Sequence, residues 1–331
     1  MTNLSNNPAT SVTAGQIRNA LSRSTATASV PVAVTAVLLV LIGIVVPRMG
    51  DYALEVGFRL LLLLTIAEAW NLMSGFGGMV SLGAAAFFGA GAYSMTGLVN
   101  LLDMPPWLAV PMSGFTGAVL SVVVSRGVFR LRGLYFTVGT LALAEALRLF
   151  MVNYSGFGGA SGLVLALDPP GLRTLFLMAL ALATVTIVLM SIATRSRFSV
   201  LLRAVRDDED AASQMGVRTF RIKLLAFLVS SALTSIAGAL QALKLGTVEP
   251  YGTFGIQWTV SALSIVIIGG QGKRAGPFLG AIFVVVLGEL LADWPALHLA
   301  ITGAILITVI RFAPQGIAGL LQKIANRKAM S

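Results

Sequence analysis

The chain of 331 residues has no cysteine, one histidine (His298) and only 11% charged residues. Without cysteine a disulfide-stapled scaffold is excluded. One histidine and no thiolate cannot make a zinc centre, so no metal site is expected. The shortage of charge excludes most. Soluble domains carry about 25% charged residues. Here 56% of residues are hydrophobic and mean hydropathy is +0.89, which leaves too little polar surface to cover a globule. Leu, Ala, Val and Ile dominate, which also excludes disordered and collagen-like chains. What remains is an all-α, polytopic helical membrane protein.

Acids are scarcer than bases, 13 against 23, for a formal charge of +10. The bases occupy short gaps between apolar runs, the pattern that orients spans with Lys and Arg on the cytoplasmic side rather than one that binds nucleic acid. A helix needs about 20 apolar residues to cross a bilayer. On that basis ten spans are expected, near 30–46, 57–73, 80–100, 107–125, 134–152, 174–194, 224–243, 254–270, 275–292 and 296–310. With both termini cytoplasmic, eighteen of the 23 bases fall on the inner side. Residues 1–29 read as a disordered cytoplasmic tail, with a faint resemblance to an organelle transit peptide. Residues 30–312 read as one transmembrane domain with a long inner loop, 195–223, and 313–331 as a basic cytoplasmic tail.

No soluble-enzyme constellation is present. Gly269-Gly270-Gln271-Gly272-Lys273-Arg274 looks briefly like a phosphate loop, but Ile267 stands where the first glycine belongs and Arg274 where Ser or Thr belongs. No ATP hydrolysis is expected of this chain. An intramembrane enzyme would need a catalytic dyad in a span, and none is available. His298 reads as an interfacial ring near the outer end of the last span.

Charges inside spans are the next candidates, since each costs about 2.5–3.5 kcal/mol at the bilayer centre. Glu145 and Arg148 stand three apart in one span, so they share a helix face. They read either as an internal ion pair or as part of a substrate path. Glu68 and Glu289 lie toward span ends, within reach of an interface. A proton-coupled carrier would place a carboxylate near mid-membrane without an adjacent cation, which Glu145 fits poorly.

The uncharged stretch Ala69–Leu102 is too long for one crossing, and Gly75, Gly77 and Gly78 mark its turn. Those glycines, Gly83, and the series Gly272, Gly276, Gly280 read as close helix packing or as a broken helix facing a cavity. In the inner loop, Leu201, Val205, Ala212 and Met215 fall near one face of an amphipathic helix that Gly216 would stop. Arg203 and Arg206, then Asp207, Asp208, Glu209 and Asp210, carry both signs of charge. Such a helix reads as a docking element for a cytoplasmic partner.

That loop is similar to the coupling segment of ATP-binding-cassette importer permeases, Glu-Ala-Ala-x-x-x-Gly. Here it stands as Asp210-Ala211-Ala212-Ser213-Gln214-Met215-Gly216. Further stretches resemble the branched-chain amino-acid permeases, M-type subunit: Asn71–Gly83, Phe87–Tyr93, Leu131–Phe136, Thr140–Ala142 with Glu145 and Arg148, Leu202–Glu209, Lys223–Phe227 and Gly269–Gly272 with Gly276-Pro277 and Gly280. They run in the family's order over roughly residues 57–320. Gly158-Gly159 and Glu249-Pro250 depart from the family's usual Thr before the paired Gly and Ser-Pro.

The resemblance implies a bacterial inner-membrane importer. Its partners would be a second, H-type permease subunit, two ATPase subunits holding ATP-Mg, and a periplasmic binding protein; this chain would bind no cofactor itself. Coupling to the ATPases would run through Arg203, Arg206, Asp207–Asp210, Ala211, Ala212 and Gly216. The implied cargo is Leu, Ile or Val, with urea, short amides or other amino acids as the alternative. A stand-alone carrier or channel is the competing class.

Overall fold

The computed structural model describes residues 38–39, 41–312 and 316–319, apart from the side chains of 295–299, 302 and 310. The 1–29 tail, most of the expected 30–46 span, most of 313–331 and the His298 side chain lie outside what is described.

The first long helix, α1 (Asp51–Asn71), passes directly into a π-turn over Leu72–Phe76. After it come α2 (Ala84–Leu102), α3 (Pro106–Val128), α4 (Leu134–Asn153) and α5 (Leu172–Arg195). The inner loop folds as two short helices, α6 (Arg197–Asp207) and α7 (Glu209–Gln214). The chain continues with α8 (Thr219–Leu245), α9 (Pro250–Thr253), α10 (Gln257–Gly269), α11 (Gly276–Leu290) and α12 (Pro295–Phe312). Two-residue strands β1 (Leu163–Val164) and β2 (Thr247–Val248) pair antiparallel, Leu163 opposite Val248.

The protein is therefore an all-helical, multi-pass membrane protein. Among the described residues seven helices are long and apolar enough to cross a bilayer. The expected count of ten is not confirmed among them. The expected 275–292 span is a 15-residue helix, which rises about 22 Å against a hydrocarbon core of about 30 Å. The expected 254–270 span is one of the seven, Pro250–Gly269, with a break in the helix at Phe254–Ile256 between α9 and α10. The 296–310 span falls within α12.

α1 is the hub. It packs against α5, α8, α10 and α11, and 83% of its apolar window is buried, against 17% for α4. Small residues let the other helices close in, as lipid offers no hydrophobic drive of its own. Ser235 of α8 sits between Gly91 of α2 and Gly117 of α3, where any side chain would overlap it. Its hydroxyl donates to the Phe87 carbonyl at 2.8 Å. Gly269 and Gly280 do the same between α10 and α11, their Cα atoms facing the Gly276 and Ile265 carbonyls.

The two ends of the bundle differ. One end gathers bases: Arg132 pairs with Asp210, Lys223 with Glu209, and Arg195, Arg203 and Arg274 lie close together. There burial, then the nearby Arg195 and Arg203, push the Arg274 guanidinium below its ordinary value. The opposite end holds the pairs Arg59–Glu289 and Lys244–Glu55. There Asn100 also clips β1, its amide donating to the Val164 carbonyl and its oxygen accepting from the Ala166 amide, both at 2.8 Å.

Candidate functional site

Between the π-turn and α2 the backbone is not helical. Residues 77–83 form a turn and an extended stretch. Its ends are tied to the two ends of one helix. At the start, Gly75 packs on Gly272 just beyond the C-terminus of α10, so close that a Cβ would stand 2.5 Å from the Gly272 nitrogen. At the finish, Thr259 near the N-terminus of α10 accepts from the Ala85 amide at 3.1 Å and donates to the Leu82 carbonyl at 3.3 Å. The stretch therefore runs alongside α10, about 15 Å at 1.5 Å per residue, and α2 begins inside the bundle rather than at its edge. Gly83, read from sequence as part of a span, ends this stretch.

Non-helical backbone at membrane depth survives only where its polar groups find partners inside the protein. Here the partners are side chains. Trp70 donates from Nε1 to the Ser81 carbonyl at 2.7 Å, and Thr137 donates to the Val80 carbonyl at 2.8 Å. The Thr140 hydroxyl accepts from the Leu82 amide at 3.0 Å, and Ser81 accepts from the Gly83 amide at 3.1 Å. The π-turn is held against the Gly269–Lys273 loop as well. Asn71 accepts from the Gly272 amide at 2.9 Å and donates to the Lys273 carbonyl at 3.3 Å. Gln271 donates to the Ser74 hydroxyl at 2.7 Å. Gly78, at φ +68°, makes the left-handed turn that starts the extended stretch.

The inner loop docks on this same knot. Of the amphipathic face, Val205 and Ala212 are buried, but the anchor beside Val205 is Leu202, and Met215 is exposed. The loop is two helices rather than one because Asp208 adopts extended backbone and caps the second, its carboxylate accepting from the Asp210 and Ala211 amides at 3.0 and 2.9 Å. Gly216 ends α7 at φ +84°, with the Val217 amide closing back onto the Ala212 carbonyl at 3.1 Å.

Arg206 carries the contact. Its Nη1 donates to the Gly75 carbonyl at 3.0 Å, while Nε and Nη2 hold Asp207, and its stem lies on Gly78. Arg203 lies over the Phe76 ring at 5.4 Å. Asp210 takes Arg132 in a two-pronged pair at 3.0 and 3.1 Å, which holds its carboxyl below the ordinary aspartate value. Glu209 takes Lys223. A cavity of about 610 Å³ opens between the loop and the unwound stretch, lined by Gly77, Met79, Thr137, Arg206, Asp208 and Lys223 among others.

The residues predicted from sequence thus separate into several places. Gly75, Gly77, Gly78, Gly272 and the loop residues Arg203 and Arg206–Ala212 come together at the basic end. Gly276 and Gly280 belong to the α10–α11 contact. Glu145 and Arg148 pair as their spacing predicts, Nε to Oε2 at 2.9 Å, but on a face of α4 that the rest of the chain leaves open. Glu68 corrects the expectation that it reaches an interface: it is 6% exposed, enclosed because α1 is packed on every side. Glu289 does reach the rim, where it accepts from Tyr52 at 2.6 Å and from Arg59 at 3.3 Å. Among the described residues no three His, Cys, Asp or Glu side chains converge as metal ligands do.

The family model described as branched-chain amino acid transport system, permease component, matches residues 52–310. The chain belongs to this family. Among curated members, the high-affinity branched-chain amino acid transport system permease protein LivM of Salmonella typhimurium is 28% identical over 278 residues, 75% of this chain and 65% of its own length. LivM of Escherichia coli K12 is 27% identical over the same shares. The permease protein LivH of Salmonella typhimurium is 29% identical over 126 residues, 38% of this chain and 40% of its own. The chain thus spans about 65% of the length of the LivM proteins it matches. No solved structure matches it.

The matched region contains the whole knot and both glycine segments. Sequence reasoning found the glycines and the charged loop but assigned no role to Trp70, Asn71, Thr137, Thr140, Thr259 or Gln271. The available signal was weak: each is a polar side chain next to a glycine-marked break or on a facing helix, and for all but Trp70 the partner lies far away in the chain.

Proposed function

We propose that this chain is the M-type permease subunit of an ATP-binding-cassette importer, forming half of the transmembrane pathway for branched-chain amino acids. The observation that carries the reading is the Arg206–Gly75 bond, within a chain that belongs to the branched-chain permease family over residues 52–310. It ties a surface loop of two helices to the break in the most buried span. A loop that only linked α5 to α8 would need neither the helices nor the tie.

On this reading the basic end faces the bacterial cytoplasm by the positive-inside rule, both termini lie there, and the chain crosses the inner membrane about ten times. The second permease subunit, of the H type, completes the pathway. The resemblance between this chain and LivH over 126 residues fits a pair built from two related halves. Two separate ATPase subunits hold ATP-Mg and grip α6 and α7. Their closure would move Arg206, and with it the end of α1 and the unwound stretch, rocking the bundle between inward- and outward-open states. A periplasmic binding protein docks on the opposite end, at the short loops bearing Asp51, Asp103, Asp168, Glu249 and Asp293.

Uptake of labelled leucine, isoleucine, valine and urea, in cells with and without this chain and with its partners present, tests the reading. Loss of leucine-type uptake alone is expected. Loss of urea uptake instead would keep the importer and overturn the cargo, and no change in any ATP-dependent uptake would overturn both.

A further inference from the structure

α4 is the least covered of the long helices, with 17% of its apolar window buried, and it carries an ion pair on its open face. The Glu145 side chain is 52% exposed and that of Arg148 20% exposed. Glu145 lies 11 residues from Leu134 and 8 from Asn153 in a 20-residue helix, about 17 and 12 Å from the two ends, so the pair sits well inside the bilayer. Charges at that depth face water or protein rather than lipid.

The face is continuous with the cavity. Thr137, which lines it, stands two helical steps of four below Glu145, with Leu141 between them and Arg148 above. All four fall within about 80° of arc at 100° per residue. Beyond the pair, Arg148 lies over the Tyr251 ring at 4.9 Å. One stripe of α4 therefore leads from the cavity at the basic end, past a charged pair, to the Tyr251 ring toward the other.

The pair has capacity to spare. Each Glu145 oxygen accepts one hydrogen bond from Arg148, and a carboxylate oxygen has a second lone pair to offer. Arg148 commits two nitrogens to Glu145 out of a guanidinium that carries five N–H groups. Tyr251 holds Arg148 in place through its ring face. An acceptor and a donor thus stand side by side, with Leu141 and Leu149 one turn to either side on the same helix. That is the complement of an apolar α-amino acid: an ammonium, a carboxylate and a hydrocarbon side chain.

We infer that Glu145 and Arg148 form a binding station for the amino-acid zwitterion on the translocation pathway, Glu145 taking the α-ammonium and Arg148 the α-carboxylate. This rests on the importer reading. The second permease subunit would close the far side of the station and keep the pair from lipid. No covalent step is involved; the pair exchanges hydrogen bonds with the substrate and re-forms after it leaves.

The test uses the full complex with its binding protein in proteoliposomes. Wild-type leucine uptake comes first: its absence would overturn the importer reading for this cargo and the station with it. Given uptake, the double variant Glu145→Gln/Arg148→Gln is expected to co-purify with its partner subunits as the wild type does and to lose at least ten-fold in leucine uptake. If the pair serves only to neutralise itself, each single variant fails and the double variant transports normally, which would overturn the station. A second measurement leaves the pair intact. Because the chain contains no cysteine, Leu141→Cys and Leu149→Cys each give it a single thiol. A membrane-impermeant cationic thiol reagent is expected to label both during turnover, and leucine to slow labelling several-fold. Thiols that stay unlabelled, or labelling indifferent to leucine, would overturn the proposal.

Discussion

Arg206 on α6 donates from Nη1 to the carbonyl of Gly75, 131 residues earlier in the chain, at 3.0 Å. Gly75 lies in the π-turn that ends α1, a geometry in which helical carbonyls lose their regular partners. The arginine therefore fills a vacancy that the turn creates. It also links the inner loop to the most buried of the long helices.

That link predicts a separation of two activities. Arg206→Ala removes the bond and the stem packed on Gly78, weakening the docked loop by about 1.5–3 kcal/mol, the range for hydrogen bonds to charged groups. In the reconstituted complex, leucine-dependent stimulation of ATP hydrolysis should fall several-fold while basal hydrolysis persists. Stimulation equal to wild type would show that force does not pass through this bond.

The unwound stretch should depend on its threonines. Thr140→Val leaves the Leu82 amide without an acceptor, and Thr259→Val does the same to Ala85. Each is expected to cost about 1–3 kcal/mol, the penalty for a buried unsatisfied group. Thr96 and Thr186 bond only to carbonyls of their own helices, at Ala92 and Leu182, so Thr96→Val and Thr186→Val should be near neutral. Thermal unfolding midpoints in detergent separate the two pairs.

Glycines should sort by what a methyl group would meet. At Gly280 it would overlap the Ile265 carbonyl, and at Gly75 it would approach the Gly272 nitrogen at 2.5 Å. Alanine at either site should destabilise by about 1–3 kcal/mol through overpacking. At Gly97 the nearest atom is the Phe157 ring edge at 3.5 Å, an ordinary contact. Gly97→Ala should be neutral or stabilising by up to about 1 kcal/mol, since alanine restricts the unfolded chain and favours helix. The same unfolding assay measures all three.

The docked loop should respond to acid in one direction. Arg132 holds the Asp210 carboxyl below its ordinary 3.8. A group whose value is lowered in the docked state contributes fully above its ordinary value and loses that contribution as pH falls through the lowered one. The α7–α4 contact should therefore hold steady from pH 7 to about 4 and loosen below that. Spin labels at Ser213→Cys and Tyr135→Cys would report the distance. Asp210→Asn should be loose at every pH, and high salt should mimic it in part, because both partners are solvent-exposed.

The sequence by itself determined what depends on composition and local spacing. Scarce charge and long apolar runs define a helical membrane protein, and bases in alternate gaps separate its two ends. The three-residue step from Glu145 to Arg148 makes them a pair on any helix, and a glycine at 216 stops the helix of the inner loop. The tertiary structure alone decided which faces are covered. In a membrane protein that information is nearly absent from the residue pattern, because lipid chains are as apolar as a protein core: α1 and α4 read alike, yet one is enclosed and the other open. It also decided that residues 77–83 unwind. A helix there would satisfy its own backbone, and what replaces those bonds comes from Trp70, Thr137, Thr140 and Thr259. Two of these four stand on α4 and one on α10, brought to the stretch only by the packing of the whole bundle.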